Sequence, residues 1–131
     1  MAESAQRFSV VRTPAFILLL KDYEKHGHRK LGDDIAWLED KLMLAPEVIG
    51  ECVPQLQNLA LPIFKARCKD SCHNIGQSGG WRVYYAINKD AHKVFLLFLH
   101  HKKEYELPRL DFLVQKLEKA FVSGLEQLEG Q

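Results

Sequence analysis

The stretch Leu61-Pro62-Ile63-Phe64-Lys65-Ala66-Arg67-Cys68-Lys69, followed by a polar segment and then Gly79-Gly80-Trp81-Arg82-Val83-Tyr84-Tyr85-Ala86-Ile87, decides the fold. Two runs of strand formers flank a segment rich in Ser, Asn and Gly, the pattern of neighbouring antiparallel strands. Side chains alternate along a strand, so Lys65, Arg67 and Lys69 share one face and Phe64, Ala66 and Cys68 the other. On the second strand Trp81, Val83, Tyr85 and Ile87 share a face, opposite Arg82 and Tyr84. The expected arrangement buries the Phe64 and Trp81 faces. Lys65, Arg67, Arg82 and Tyr84 then project together from the other side, where fixed cations and a phenol can grip a phosphodiester. A solvated sheet face with basic edge residues is the competing reading, and parity alone does not separate the two.

Outward from this hairpin, Asn88-Lys89-Asp90-Ala91-His92 predicts a turn. Residues 94–99 are apolar throughout, as in a central strand covered on both faces. That strand ends in His100-His101-Lys102-Lys103. Pro108 begins a last helix with Leu110, Leu113, Val114, Leu117 and Phe121 as its apolar stripe, and fraying is expected after Ser123. Towards the N-terminus, residues 8–11 predict a short strand. Thr13-Pro14 opens a helix, since Thr caps well and Pro is tolerated at the first helical position. Phe16, Leu19, Leu20 and Tyr23 give its stripe, and Gly27 ends it. His26, His28, Arg29 and Lys30 form a basic knuckle suited to a helix C-terminus. A second helix is expected over residues 31–44, with Ile35, Leu38 and Leu42 facing the core and Trp37 packed beside them. Pro46 restarts a helical turn that Gly50 ends, and residues 51–60 read as a connection.

The element order is therefore βααβββα. It specifies an α+β domain: a small antiparallel sheet with two N-terminal helices on one face and a C-terminal helix. One domain over residues 1–131 is expected, with 1–6 and 124–131 as loose tails.

The chain has 131 residues and a formal net charge of +1. That balance argues against strong unguided nucleic-acid binding but leaves room for a local basic patch. Acidic residues gather elsewhere, as in Asp33-Asp34, Glu39-Asp40, Glu126 and Glu129. The longest apolar run, residues 15–20, is too short to span a bilayer, and no signal-peptide pattern is visible, so a cytoplasmic location without membrane association is expected. Three cysteines, Cys52, Cys68 and Cys72, do not make a disulfide framework. Cys68, Cys72 and His73 form a Cys-x3-Cys-His cluster, but no second ligand pair has zinc-site spacing, so no metal and no cofactor is expected. The glycine-rich turn at Gly76, Gly79 and Gly80 can either offer N–H groups to a phosphate or simply allow positive φ. It lacks the Gly-Lys-Ser/Thr ending of a nucleotide-binding loop.

Lys65-Ala66-Arg67, then Asn74-Ile75-Gly76-Gln77-Ser78-Gly79-Gly80-Trp81-Arg82-Val83-Tyr84-Tyr85, and the strand ending at His100-His101-Lys102-Lys103 resemble the RelE/ParE toxin superfamily, in particular its RelE/HigB branch. The resemblance spans about residues 8–121, and Gly-Gly-Trp-Arg is its most specific part. It implies a RelE-like fold, and a type II toxin that cleaves mRNA on the ribosome and is neutralised by a cognate antitoxin protein. Gln77 stands where that family has a basic residue, and His100 where Tyr is commoner.

The implied chemistry needs no metal. The RNA 2′-OH attacks the adjacent phosphate in line, leaving a 2′,3′-cyclic phosphate and a 5′-OH. Arg82 is the first choice to hold the equatorial oxygens, because its planar fork matches phosphate and its charge does not titrate. Lys65 and Arg67 share that role. His100 can serve as acid or base near neutrality. Lys102, Tyr84, Lys69 and His101 are candidate substrate contacts, Tyr84 by stacking or hydrogen bonding. Two alternatives stay open. One is a ParE-like inhibitor that binds DNA gyrase without hydrolysing RNA; the other is a weakened relative that only binds partners. Codon preference and oligomeric state are left open.

Overall fold

A computed structural model describes residues 7–56, 59, 61–104 and 109–129. The deciding stretch forms strands β3 (Ile63–Cys68) and β4 (Trp81–Asn88), paired antiparallel with Lys65 opposite Tyr84 and Arg67 opposite Arg82. Strand β5 (Lys93–His101) pairs antiparallel with β4 and sets His100 opposite Arg82. Strands β1 (Ser9–Arg12) and β2 (Glu51–Cys52) complete a five-stranded sheet in the order β1-β5-β4-β3-β2. Helices α1 (Pro14–Lys25), α2 (Leu31–Leu44), the single turn α3 (Pro46–Ile49) and α4 (Leu110–Glu129) complete an α+β architecture.

The sheet is mixed rather than antiparallel, because β1 lies parallel to β5, Ser9 opposite Lys93. Alternation in a short strand says which residues share a face but not which distant strand it joins. Here β1 covers the outer edge of β5, and an uncovered edge of that length is a liability. Strand β2 arises within the expected connection. It has two residues, too few to show an alternating pattern, and it pairs Glu51 with Lys65 and Cys52 with Phe64.

Each face of the sheet carries its own core. On one face Ala66, Cys68, Trp81, Val83, Tyr85 and Ile87 pack against Phe16 and Leu20 of α1 and Leu31, Ile35, Leu38 and Leu42 of α2. On the other, Ile63, Tyr84, Ala86, Phe95, Leu97 and Phe98 pack against Leu113, Leu117 and Ala120 of α4. A fully buried side chain of this size contributes roughly 1.5–3 kcal/mol. Helix α2 therefore sits on one face and α4 on the other, while α1 reaches both cores, with Phe16 and Leu20 in the first and Ala15 and Leu19 against the second.

The caps follow the residues. Thr13 Oγ1 accepts the Phe16 N–H at 3.3 Å and donates to the Leu96 carbonyl at 2.8 Å, so one side chain both starts α1 and ties it to β5. Gly27, with φ of 103°, ends α1. The glycines of the β3–β4 loop do not use positive φ: Gly76 has φ of −74° and Gly80 of −92°. Gly80 is needed for close approach instead, since a Cβ there would lie 2.3 Å from the Cys68 carbonyl oxygen. The expected helix start at Pro108 and the N-terminal tail lie outside the described residues. At the other end α4 does not stop at Ser123 but continues to Glu129; Leu, Glu and Gln in this segment are strong helix formers. Among the described residues no helix is long and apolar enough to cross a membrane.

Candidate nucleic-acid interface

The sheet register brings Lys65, Arg67, Arg82, Tyr84 and His100 onto one face across three adjacent strands. Lys65, Arg67 and Arg82 line a groove of about 350 Å³ together with Lys41, Glu51 and Gln77. Its walls come from α2, α3 and the β3–β4 loop, so the basic residues stand at the rim of the sheet rather than at its middle.

Depth divides these residues. Arg67 is exposed and Lys65 half-buried, whereas Arg82 is 9% exposed, Tyr84 2% and His100 1%. The face is therefore not an open platform, as parity suggested, because α4 closes over Tyr84 and Phe98. Arg82 is held from behind: its Nη1 donates to the carbonyls of Gln77 and Trp81, each at 3.2 Å. Burial, and then the neighbouring Arg67 charge, push its pKa below the ordinary arginine value. It stays a cation at any physiological pH.

His100 has a defined tautomer. Its Nδ1 lies 3.2 Å from the His101 carbonyl, which can only accept, so Nδ1 carries the hydrogen. Its Nε2 lies 3.2 Å from the Tyr84 hydroxyl and is thus the acceptor of that O–H. Burial lowers the His100 pKa. Arg82 and Lys65 push the same way, against the His101 carbonyl and Glu104. A neutral imidazole is fitted to take a proton rather than to give one. Burial also pushes the Tyr84 phenol up to about 12, so it remains a donor.

Three other candidates stand apart. His101 follows His100 on the strand and points to the opposite face, where its Nε2 is 3.0 Å from Asp70 Oδ2. Lys69 leaves the pattern because β3 ends at Cys68; its Nζ sits 4.6 Å over the Trp37 ring of α2. Lys102 lies beyond the end of β5 in an exposed turn, with its backbone N–H donating to the Gly80 carbonyl. Lys69 and Lys102 lie just past their strand ends, where alternation no longer places a side chain, and His101 falls on the face opposite His100.

The cysteines are not assembled as metal ligands. Cys68 Sγ is buried against the Asp34 carbonyl, and burial raises its pKa to about 12. Cys72 Sγ donates to the Gly27 carbonyl, and Cys52 is exposed. Sequence reasoning did not single out Lys41 or Glu51, which reach the groove from α2 and β2; no local pattern marks them. No family model and no curated protein matches the chain.

Proposed function

We propose that the chain is the toxin of a type II toxin–antitoxin pair in the cytoplasm, a metal-independent endoribonuclease that cuts mRNA on the ribosome. The observation that carries this reading is the cross-strand pair Arg67–Arg82. Like charges directly opposite each other on a sheet are destabilising, and here each Arg shares a groove with Lys65 and Lys41. A phosphodiester lying between the guanidinium groups converts that repulsion into charge-assisted hydrogen bonds.

Behind this anion seat lies a neutral imidazole. In the proposed reaction Tyr84 turns aside and the RNA 2′-OH replaces its hydroxyl at His100 Nε2. The 2′ oxygen forms a bond to phosphorus as its proton passes to Nε2. The bond from phosphorus to the 5′ oxygen breaks, and that oxygen takes a proton from water. Arg82 and Arg67 stabilise the charge on the non-bridging oxygens. The modest net charge suits an enzyme whose substrate is positioned by the ribosome, and the same basic groove suits an acidic segment of an antitoxin.

A second reading has its own support. His100 is 1% exposed and already hydrogen-bonded on both nitrogens, which favours a relative that binds partners without cleaving RNA. Induction of wild type and Arg82→Ala in cells, with mapping of mRNA 5′ ends, tests both. The enzyme gives codon-associated cuts that fall about 10²–10³-fold in the variant. Uncut mRNA overturns the nuclease reading; if supercoiling is then inhibited, gyrase is the target.

A further inference from the structure

On the opposite side of the sheet from the basic groove, three side chains from distant parts of the chain converge. His28 comes from the α1–α2 connection, and Asp70 and His73 come from the β3–β4 loop. We propose that His28, Asp70 and His73 form a binding site for one divalent first-row transition cation of the zinc type. One ligand atom from each falls within 4.8 Å of the other two. Zinc–nitrogen and zinc–oxygen bonds of about 2.0–2.2 Å need ligand atoms no more than roughly 4.4 Å apart, so small side-chain rotations, above all of the half-exposed His73, close the three onto one ion.

Two features point to a ligand rather than to a plain hydrogen-bond network. His28 Nδ1 is buried and has no hydrogen-bond partner among the described residues, a state that buried polar atoms rarely keep. Asp70 is 1% exposed, and a carboxylate that deep calls for compensating charge. Its orientation is fixed by a neighbour. His101 Nδ1 accepts the Lys103 N–H at 3.1 Å, so its Nε2 carries the hydrogen and donates to Asp70 Oδ2 at 3.0 Å. An outer partner of this kind is what holds a metal-binding carboxylate in place. His73 Nδ1 sits 2.8 Å from the same oxygen, and its side chain is half exposed, which gives an ion a way in. A cavity of about 250 Å³, also lined by Tyr23 and Glu104, leaves room for water as a further ligand. Two imidazoles and one carboxylate suit zinc, nickel or cobalt rather than calcium or magnesium.

Such an ion clips the α1–α2 connection to the loop that carries Gln77, whose carbonyl holds Arg82. The site does not depend on the ribonuclease reading. The test is a titration of the purified, untagged and chelator-stripped full chain with zinc sulfate, in competition with a chromophoric chelator. The expected result is one equivalent bound with Kd on the order of micromolar or tighter, with a raised Tm. His28→Gln and His73→Gln should each weaken binding at least ~10-fold, while His26→Gln, at an exposed position outside the cluster, leaves it unchanged. Absence of stoichiometric binding, or wild-type affinity in both cluster variants, overturns the proposal. X-ray absorption of the zinc-loaded wild type needs no variant: imidazole and oxygen scattering supports the site, and sulfur in the coordination shell overturns it.

Discussion

Asp34 sits at 2% exposure on α2, and both of its carboxylate oxygens are taken by Ser71. Oδ2 accepts the Ser71 N–H at 2.9 Å and Oδ1 its hydroxyl at 2.6 Å. These bonds pin the β3–β4 loop to the helix layer. Asp34→Ala strands both donors, and a loss of about 2–3 kcal/mol is expected in urea denaturation; Asp34→Asn, which keeps one acceptor, should cost less. In the sequence Asp34 stands beside Asp33 and reads as part of a solvated acidic pair. Its spacing from Leu31 and Leu38 was the visible clue, since it shares their core-facing stripe. For His100 a place in the site was implied by the resemblance, while its register opposite Arg82 and its depth were not legible. Alternation fixes the side on which a residue lies and is silent about what packs over that side.

At the level of elements, α1 shows how local signals and long-range bonds cooperate. Thr13→Ala removes both the cap to Phe16 and the bond to the Leu96 carbonyl. Its cost should be about 2 kcal/mol, at the upper end of N-cap substitutions. Chemical denaturation measures it, and Thr13→Ser should recover most of the loss. Helix α1 was readable because a cap, a stripe and a stop agree within it, whereas α2, whose Lys30 N-cap makes no side-chain bond, was readable from its apolar stripe. Strand β2 was not, because its pairing partner supplies what its own two residues cannot. For the glycines of the β3–β4 loop the sequence leaves open a phosphate cradle or positive φ, and Gly76 and Gly80 do not use positive φ. The loop's tightest glycine, Gly80, is dictated by a backbone oxygen from another strand, a contact that no local pattern can announce.

Across the whole molecule, the burial of His100 couples stability to pH. Its folded pKa is depressed, so the unfolded chain takes up the proton first. The stabilisation is fully present above the ordinary histidine value of about 6.5 and is lost as pH falls through the folded value. Tm should therefore fall as pH is lowered from about 7 towards 5, and His100→Gln should flatten that part of the curve. Tyr84 of β4 is hydrogen-bonded to this imidazole, and the charges that act on it are Arg82 of β4, Lys65 of β3 and Glu104 from the turn after β5, so the titration also reports on the basic groove.

The parallel junction of β1 with β5 joins Ser9 to Lys93, and it has a kinetic corollary. Closing so long a loop costs entropy before any contact repays it. Until β3, β4 and β5 dock, the apolar sides of α1 and α2 have no floor to rest on. The helical hairpin is thus not a self-sufficient folding unit, and ordering of the early and late segments must come as one cooperative event.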